Sequence, residues 1–261
     1  MLSILEALAD HARERIKLSK ENVPADEMKS AALSLPSSDF AFERALKTPD
    51  ISFICECKKA SPSKGLIAPD FPYLQIAKEY EKAGADCISV LTEPKWFLGS
   101  DEYLRNIASA VSVPCLRKDF IVDEYMIYEA KLLGAKAVLL ICSILDATTT
   151  KAYIDICDDL GLSALVEAHD ENEVKAAVKA GARVIGVNNR NLKDFSVDTE
   201  NSRQLRELVP PDVLFVSESG VRTAADVELL RKAGADAVLI GETLMRADDK
   251  SAKLLELKGC I

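Results

Sequence analysis

Two lysines and two glutamates end short apolar runs in which a charge is out of place. ISFICECK closes on Glu56 and Lys58, VPCLRKDF carries Lys118, and LSALVEAH carries Glu167. Ammonium and carboxylate groups held close together shift one another's pKa values, so one set can supply both an acid and a base. If the runs are strands, side chains alternate and residues two apart share a face. Glu56 and Lys58 then face the same way as Ile54, while Phe53, Cys55 and Cys57 face the other way. Lys118 lies on the face of Leu116 and Glu167 on that of Leu165. One charged strand end is ordinarily just solvated, because charged side chains are mostly exposed. Three runs projecting such groups to the same side are a much rarer coincidence.

A second set of run ends suits an anion. Ser219-Gly220 and Gly241-Glu242 follow VLFVSE and AVLI. Backbone N–H groups at a helix opening can face an anion, and small residues let the backbone approach it. These positions are expected to hold a phosphate.

The elements that must position both sets are legible as repeats. KAGADCISVL, LLGAKAVLLI, KAGARVIGV and KAGADAVLI each read as a helix end, a glycine turn and a strand. Gly84, Gly134, Gly181 and Gly234 recur about every 50 residues, twice the length of a strand–helix unit. The four runs ISFICECK, VPCLRKDF, LSALVEAH and VLFVSESG fall between them, separated by helical patterns such as YLQIAKEYEKA and NEVKAAVKA. Strands alternating with helices imply a parallel sheet. The even period favours closure into a (β/α)8 barrel, and the first strand lacks the glycine-rich fingerprint of an open dinucleotide-binding sheet. In such barrels chemistry sits where strands end, with phosphate after strands seven and eight. The acid–base set and the anion set therefore map to one mouth.

The chain has 261 residues, and such barrels have roughly 250. No composition break divides it, so residues 1–261 are read as one domain, with 1–48 a helical extension and 49–261 the barrel. Ile4, Leu5, Leu8, Ala12 and Ile16 form an apolar stripe in that extension, which on this pattern alone plugs one barrel end. The loop from Lys59 to Pro69 holds Gly65 and two prolines. It is expected to be a lid ordered by substrate, and protease protection unchanged by added product would rule that out. Trp96-Phe97-Leu98 follows the second strand, where loop aromatics suit a ligand.

Composition bounds the partners. A net charge of −9 argues against a general nucleic-acid binder but permits a local cationic site for a small anion. No apolar run reaches the roughly 18 residues of a membrane span, and the first residues lack a secretory core. Seven cysteines, an odd number set mostly in apolar runs, read as free thiols in a reducing, cytoplasmic setting. Cys55-x-Cys57 lacks metal-knuckle spacing, and with His11 and His169 the only histidines, no metal is expected.

Five segments in order give a more specific signal. They are Glu56-Cys57-Lys58-Lys59-Ala60-Ser61-Pro62-Ser63-Lys64-Gly65, Leu116-Arg117-Lys118-Asp119-Phe120-Ile121, Leu165-Val166-Glu167-Ala168-His169, Gly186-Val187-Asn188-Asn189-Arg190-Asn191-Leu192 and Ser217-Glu218-Ser219-Gly220-Val221. Over nearly its whole length the chain resembles the indole-3-glycerol-phosphate synthase family. The resemblance implies ring closure, decarboxylation and dehydration of 1-(2-carboxyphenylamino)-1-deoxyribulose 5-phosphate, without a cofactor. It implies Lys118 as general acid on the ketone oxygen and Glu167 as general base in dehydration. Lys58 becomes a second acid or a carboxylate contact, and the division between the lysines stays open. Glu56 and Asn188 would orient them. Ser61 and Arg190 suit polar or carboxylate contacts, and Pro62, Phe97, Phe120, Leu139 and Leu192 would sandwich the aromatic ring. Lys59, Ser219, Gly220, Gly241 and Glu242 are expected at the phosphate. Glu242 replaces a serine of some relatives, so it should contribute only its backbone, its carboxylate turned into the first helical turn. The resemblance also sets the extension over the mouth, and leaves room for association with other tryptophan-pathway enzymes.

Two other readings compete. A phosphoribosylanthranilate isomerase-like barrel would want Cys or Asp at the first strand end. A non-catalytic phosphate-ligand sensor would keep Ser219, Gly220 and Gly241 but lose the acid and base. Both halves are present here, which favours the enzyme.

Overall fold

The computed structural model describes residues 3–191 and 195–260. Among these, eight parallel strands close into a barrel: β1 (Ser52–Cys57), β2 (Cys87–Leu91), β3 (Cys115–Lys118), β4 (Ala137–Ile141), β5 (Ser163–Ala168), β6 (Val184–Asn188), β7 (Leu214–Glu218) and β8 (Ala237–Ile240). Each pairs with its sequence neighbours, and β8 returns to β1. The expected (β/α)8 barrel is the fold.

Strand alternation separates two cores. Ile54, Leu116, Leu139, Leu165, Val216 and Leu239 fill the barrel, while Phe53, Cys55, Val90, Val138, Val166 and Val238 pack under the helices. Strands buried on both faces must be apolar at consecutive positions, which explains the uninterrupted hydrophobic runs. Cys55 and Cys57 share the outer face and are buried free thiols.

The outer ring contains α4 (Tyr73–Lys82), α5 (Asp101–Ala110), α6 (Tyr125–Leu132), α7 (Ala147–Leu160), α8 (Glu171–Lys179), α9 (Glu200–Arg206), α10 (Ala224–Lys232), α11 (Glu242–Arg246) and α12 (Lys250–Leu257). The four repeat glycines stop helices in one way. Gly84, Gly134, Gly181 and Gly234 have φ of 87°, 91°, 85° and 84°, left-handed backbone that a side chain disfavours. The next amide then reaches back to a helix carbonyl, Ala85 to Tyr80, Ala135 to Ala130, Ala182 to Ala177 and Ala235 to Leu230. In two repeats the following aspartate clips a neighbouring strand. Asp86 Oδ2 accepts the Phe53 amide, and Asp236 Oδ2 that of Phe215, each at 2.7 Å.

Residues 3–48 run from one end of the barrel to the other. A Ser3–Glu6 capping box starts α1 (Ile4–Asn22), whose Ile4, Leu5 and Leu8 reach the mouth. Next, α2 (Ala25–Ser34) packs on α6. At the base, α3 (Ala41–Leu46) sends Phe42 and Leu46 into the barrel core, and Arg183, before β6, grips Glu43 through two bonds of 3.0 Å. The plug expected of the Ile4–Ile16 stripe is therefore supplied by α3. Ile16 belongs with Met28 and Ala32 to the outer core, because by the fourth turn α1 has left the mouth.

Candidate active site

A cavity of about 420 Å³ opens at the C-terminal ends of the strands, a size suited to a small ligand. Alternation sends Glu56 and Lys58 inward beyond Ile54, and Lys58 Nζ donates to Glu56 Oε1 at 2.7 Å. The smallness of Gly241 serves this pair. A Cβ there would lie 2.4 Å from Glu56 Oε1 and 2.8 Å from Lys58 Nζ.

Lys118 projects from β3 toward two carboxylates, with Nζ 3.4 Å from Glu167 Oε2 and 3.7 Å from Glu218 Oε2. Burial alone would pull this lysine down, but Glu167, Glu218 and Glu56 more than offset it and hold the ammonium protonated. The two carboxyls hydrogen-bond to each other and part company. Burial, then the charge of Glu167, pushes Glu218 up to about 8. Burial pushes Glu167 up as well, but Lys118, His169 and a hydrogen bond from Asn188 outweigh it and leave Glu167 below the usual carboxylate range. At neutral pH one carboxylic acid and one carboxylate thus lie beside one ammonium. Such a cluster can give a proton and take another.

Sequence reasoning passed over Glu218 as a site residue, though two signals were present. It is two residues past the interior Val216, and it faces Gly186 of β6, where a Cβ would stand 2.2 Å from Glu218 Oε1. A glycine inside an apolar strand often marks such a close approach.

One wall is aromatic. The rings of Phe97 and Phe120 lie 6.0 Å apart, with Pro62, Leu139, Leu8 and Ile4 around them. Leu139 lines the cavity and also belongs to the barrel core. The Lys59–Pro69 loop is a short hairpin pairing Ala60–Ser61 with Gly65–Leu66, tied by the Ala60 amide to Phe97 O at 3.2 Å. Ser61 lines the cavity from it, but Lys59 does not. The Lys59 carbonyl instead receives the Ile67 and Ala68 amides. Leu192 lies outside the described residues.

Ser219, Gly220 and Gly241 also line the cavity, together with Arg222, Arg246 and Lys253. Those three cations were not foreseen, because they belong to a loop and to short C-terminal helices rather than to strand ends. Ser219 and Gly220 do not open a helix. Both are left-handed, at φ 66° and 96°, and α10 starts later with its own cap, Thr223. Asn188 Oδ1 accepts the Ser219 hydroxyl and the Arg190 amide, each at 3.0 Å. Glu242 pairs along its helix with Arg246 at 3.0 Å and stays within 4 Å of Lys64 and Arg190. Its carboxylate therefore remains at the rim. Among the described residues no His, Cys, Asp and Glu cluster is arranged to hold a metal ion, and no helix is long and apolar enough to cross a membrane.

The extension is bolted to this site. Arg15 Nη2 donates to Asp119 Oδ1 at 2.7 Å, and Asp119 also accepts from Thr92 Oγ1 at 2.6 Å. Burial raises Asp119, but Arg15 and Arg117 bring it below the usual carboxylate range. His11 meets Trp96 edge-on at 5.5 Å between centroids, and buried Glu93 accepts the Trp96 and Phe97 amides. Arg15→Ala should cost about 1.5–3 kcal/mol, the range for hydrogen bonds to charged groups. It should also raise KM more than it lowers kcat, because α1 lines the cavity with Ile4, Leu5 and Leu8 and supplies none of the acid–base groups. Urea midpoints and steady-state kinetics check both; an unchanged KM would count against that lining role.

Fold and site together define a (β/α)8-barrel enzyme equipped for acid–base chemistry. The family model described as indole-3-glycerol phosphate synthase matches residues 5–257. A protein of that description from Ruminiclostridium cellulolyticum is 60% identical over 98% of this chain and 99% of its own. Another, from Lachnoclostridium phytofermentans, is 48% identical over 99% and 100%. A solved 3-hexulose-6-phosphate synthase from Salmonella typhimurium shares the fold, with a TM-score of 0.63 at 14% identity, covering 80% of this chain and 98% of its own. The chain belongs to the indole-3-glycerol phosphate synthase family.

Proposed function

We propose that this cavity closes the indole ring of 1-(2-carboxyphenylamino)-1-deoxyribulose 5-phosphate, releasing carbon dioxide and water, with Lys118 and Glu167 as the principal acid and base. The observation that carries these roles is the contact of one ammonium with two buried carboxyls, those of Glu167 and Glu218, 3.4 and 3.7 Å away. The phosphate is assigned to Ser219, Gly220 and the Gly241–Glu242 backbone, with Arg222, Arg246 and Lys253 supplying positive charge. The benzoate ring is assigned to the Phe97–Phe120 wall, its carboxylate to Lys58 and Arg190.

Held at both ends, the substrate is folded so that its ring carbon meets the ketone, an orientation effect that replaces chance encounter. As that carbon attacks, the C=O electron pair moves to oxygen, which takes a proton from Lys118. Cleavage of the C–CO2 bond returns electrons to the ring and restores aromaticity. Dehydration then needs a proton given to the departing hydroxyl and another removed from the adjacent carbon by Glu167. Glu218, protonated and beside Lys118, holds the proton that recharges it. Glu56 keeps Lys58 aimed, and Asn188 orients Glu167.

Residues 1–261 are taken as one catalytic unit, since α1 and the barrel line the same cavity. A cytoplasmic setting suits its free cysteines. Purified protein given the substrate without metal or cofactor should generate indole fluorescence. Glu167→Gln should lower kcat about 10²–10⁴-fold with substrate still bound. Binding without any turnover by the wild-type protein would leave the sensor reading instead.

A further inference from the structure

His169 lies two residues past Glu167 and follows it onto the same side of β5. Its Nε2 is 3.5 Å from Glu167 Oε1, and its Nδ1 is 3.1 Å from Glu173 Oε2. The ring is held from several sides. Glu173, in the first turn of α8, also accepts the His169 amide at 2.7 Å and the Ser143 hydroxyl at 2.5 Å, while Asn201 of α9 binds the His169 carbonyl at 3.2 Å. His169 does not line the cavity, so whatever it contributes passes through Glu167.

The Glu167–Glu218 pair poses the question of which carboxyl keeps the proton. Lys118 scarcely discriminates, being 3.4 Å from one and 3.7 Å from the other. Asn188 and His169 supply the asymmetry, and of the two only His169 can bring a charge. We propose that His169 is a positioning residue whose imidazolium, anchored by Glu173, holds Glu167 as the ionised member of the pair and leaves the shared proton on Glu218. The proposal rests on the reading of Glu167 as the base.

The charges around the ring favour its cationic form. Glu167 faces it from β5 and Glu173 from α8, with Asp170 at the start of α8, while Glu218, facing it from β7, carries the shared proton and is neutral. Lys118, beyond the carboxyl pair, is the opposing cation. The Cys142 thiol, after β4, is pushed up to about 12 by burial and nearby carboxylates and stays neutral. Burial pulls His169 down, but the hydrogen bond to Glu173 and the charges of Glu167 and Glu173 outweigh it.

With two histidines in the chain, ring NMR of the full protein gives a direct readout, and the signal missing from His169→Asn identifies His169. It should titrate above the ordinary value of about 6.5, and Glu173→Gln should lower it. His169→Asn should reduce kcat by up to about tenfold, leave KM within about twofold, and move the acid limb of the kcat profile up by roughly one pH unit. Glu173→Gln, whose ring is still charged at the pH of that limb, should lower the His169 titration without moving the limb up. A merely structural histidine would leave the limb in place. An unmoved limb in His169→Asn, or a ring titrating at or below the ordinary value, overturns the proposal while Glu167→Gln remains inactive. Full turnover by Glu167→Gln would instead remove the base, and this inference with it.

Discussion

Lys118→Ala should lower kcat about 10²–10⁴-fold while the protein folds and still binds substrate. The binding contacts assigned to the phosphate and the aromatic wall come from other elements, so KM should move far less than kcat. In the proposed mechanism Lys118 protonates the ketone oxygen, and the charges of Glu167, Glu218 and Glu56 outweigh burial and keep it protonated for that step. Lys118→Arg tests whether charge alone suffices. A guanidinium preserves the positive charge but, with a pKa above about 12, gives up no proton. Arginine should therefore leave the enzyme nearly as slow as alanine. Near-normal turnover in Lys118→Arg would mean that Lys118 stabilises developing negative charge without transferring a proton, and the acid would then have to be Lys58 or Glu218.

The barrel was legible because its two periods are written locally. A glycine turn recurs about every 50 residues, and each strand's alternation separates a core face from a helix-facing one. That alternation also places Glu56, Lys58, Lys118 and Glu167 in one cavity, since it depends only on parity along a strand. What was hidden depended on contacts between elements far apart in the chain. The carboxyl of Glu218 is aimed by the missing side chain of Gly186 on a neighbouring strand. Arg222, Arg246 and Lys253 reach the cavity from a loop and short helices, which have no parity to read. The extension was ambiguous for a related reason. An apolar stripe shows that α1 is covered on one face but not by what, and the base is filled instead by Phe42 and Leu46 on α3.

Glu218→Gln should make the enzyme slower and more stable together. Glutamate in an unfolded chain titrates near 4.3, whereas burial and the neighbouring Glu167 charge put Glu218 at about 8 in the fold. Between those values the unfolded chain releases a proton that the native protein keeps. The stability associated with Glu218 is therefore intact below about pH 4 and is lost progressively as pH rises toward 8. Glutamine has the shape of the protonated acid, can donate the same hydrogen bond to Glu167, and has no proton to lose. At pH 7 the variant should gain up to about 3–4 kcal/mol and melt several degrees higher. The gain should vanish near pH 4, where both proteins carry a neutral group at this position. With no carboxyl to recharge Lys118, kcat should fall about 10²-fold. Melting curves at pH 4 and pH 7 and one kinetic series measure all of this. A variant less stable than wild type at pH 7, or a gain that persists unchanged in acid, would mean that Glu218 is ionised in the native site. The proton shared with Glu167 would then have no holder, and the acid–base pair would have to be sought in Lys58 and Glu56 instead.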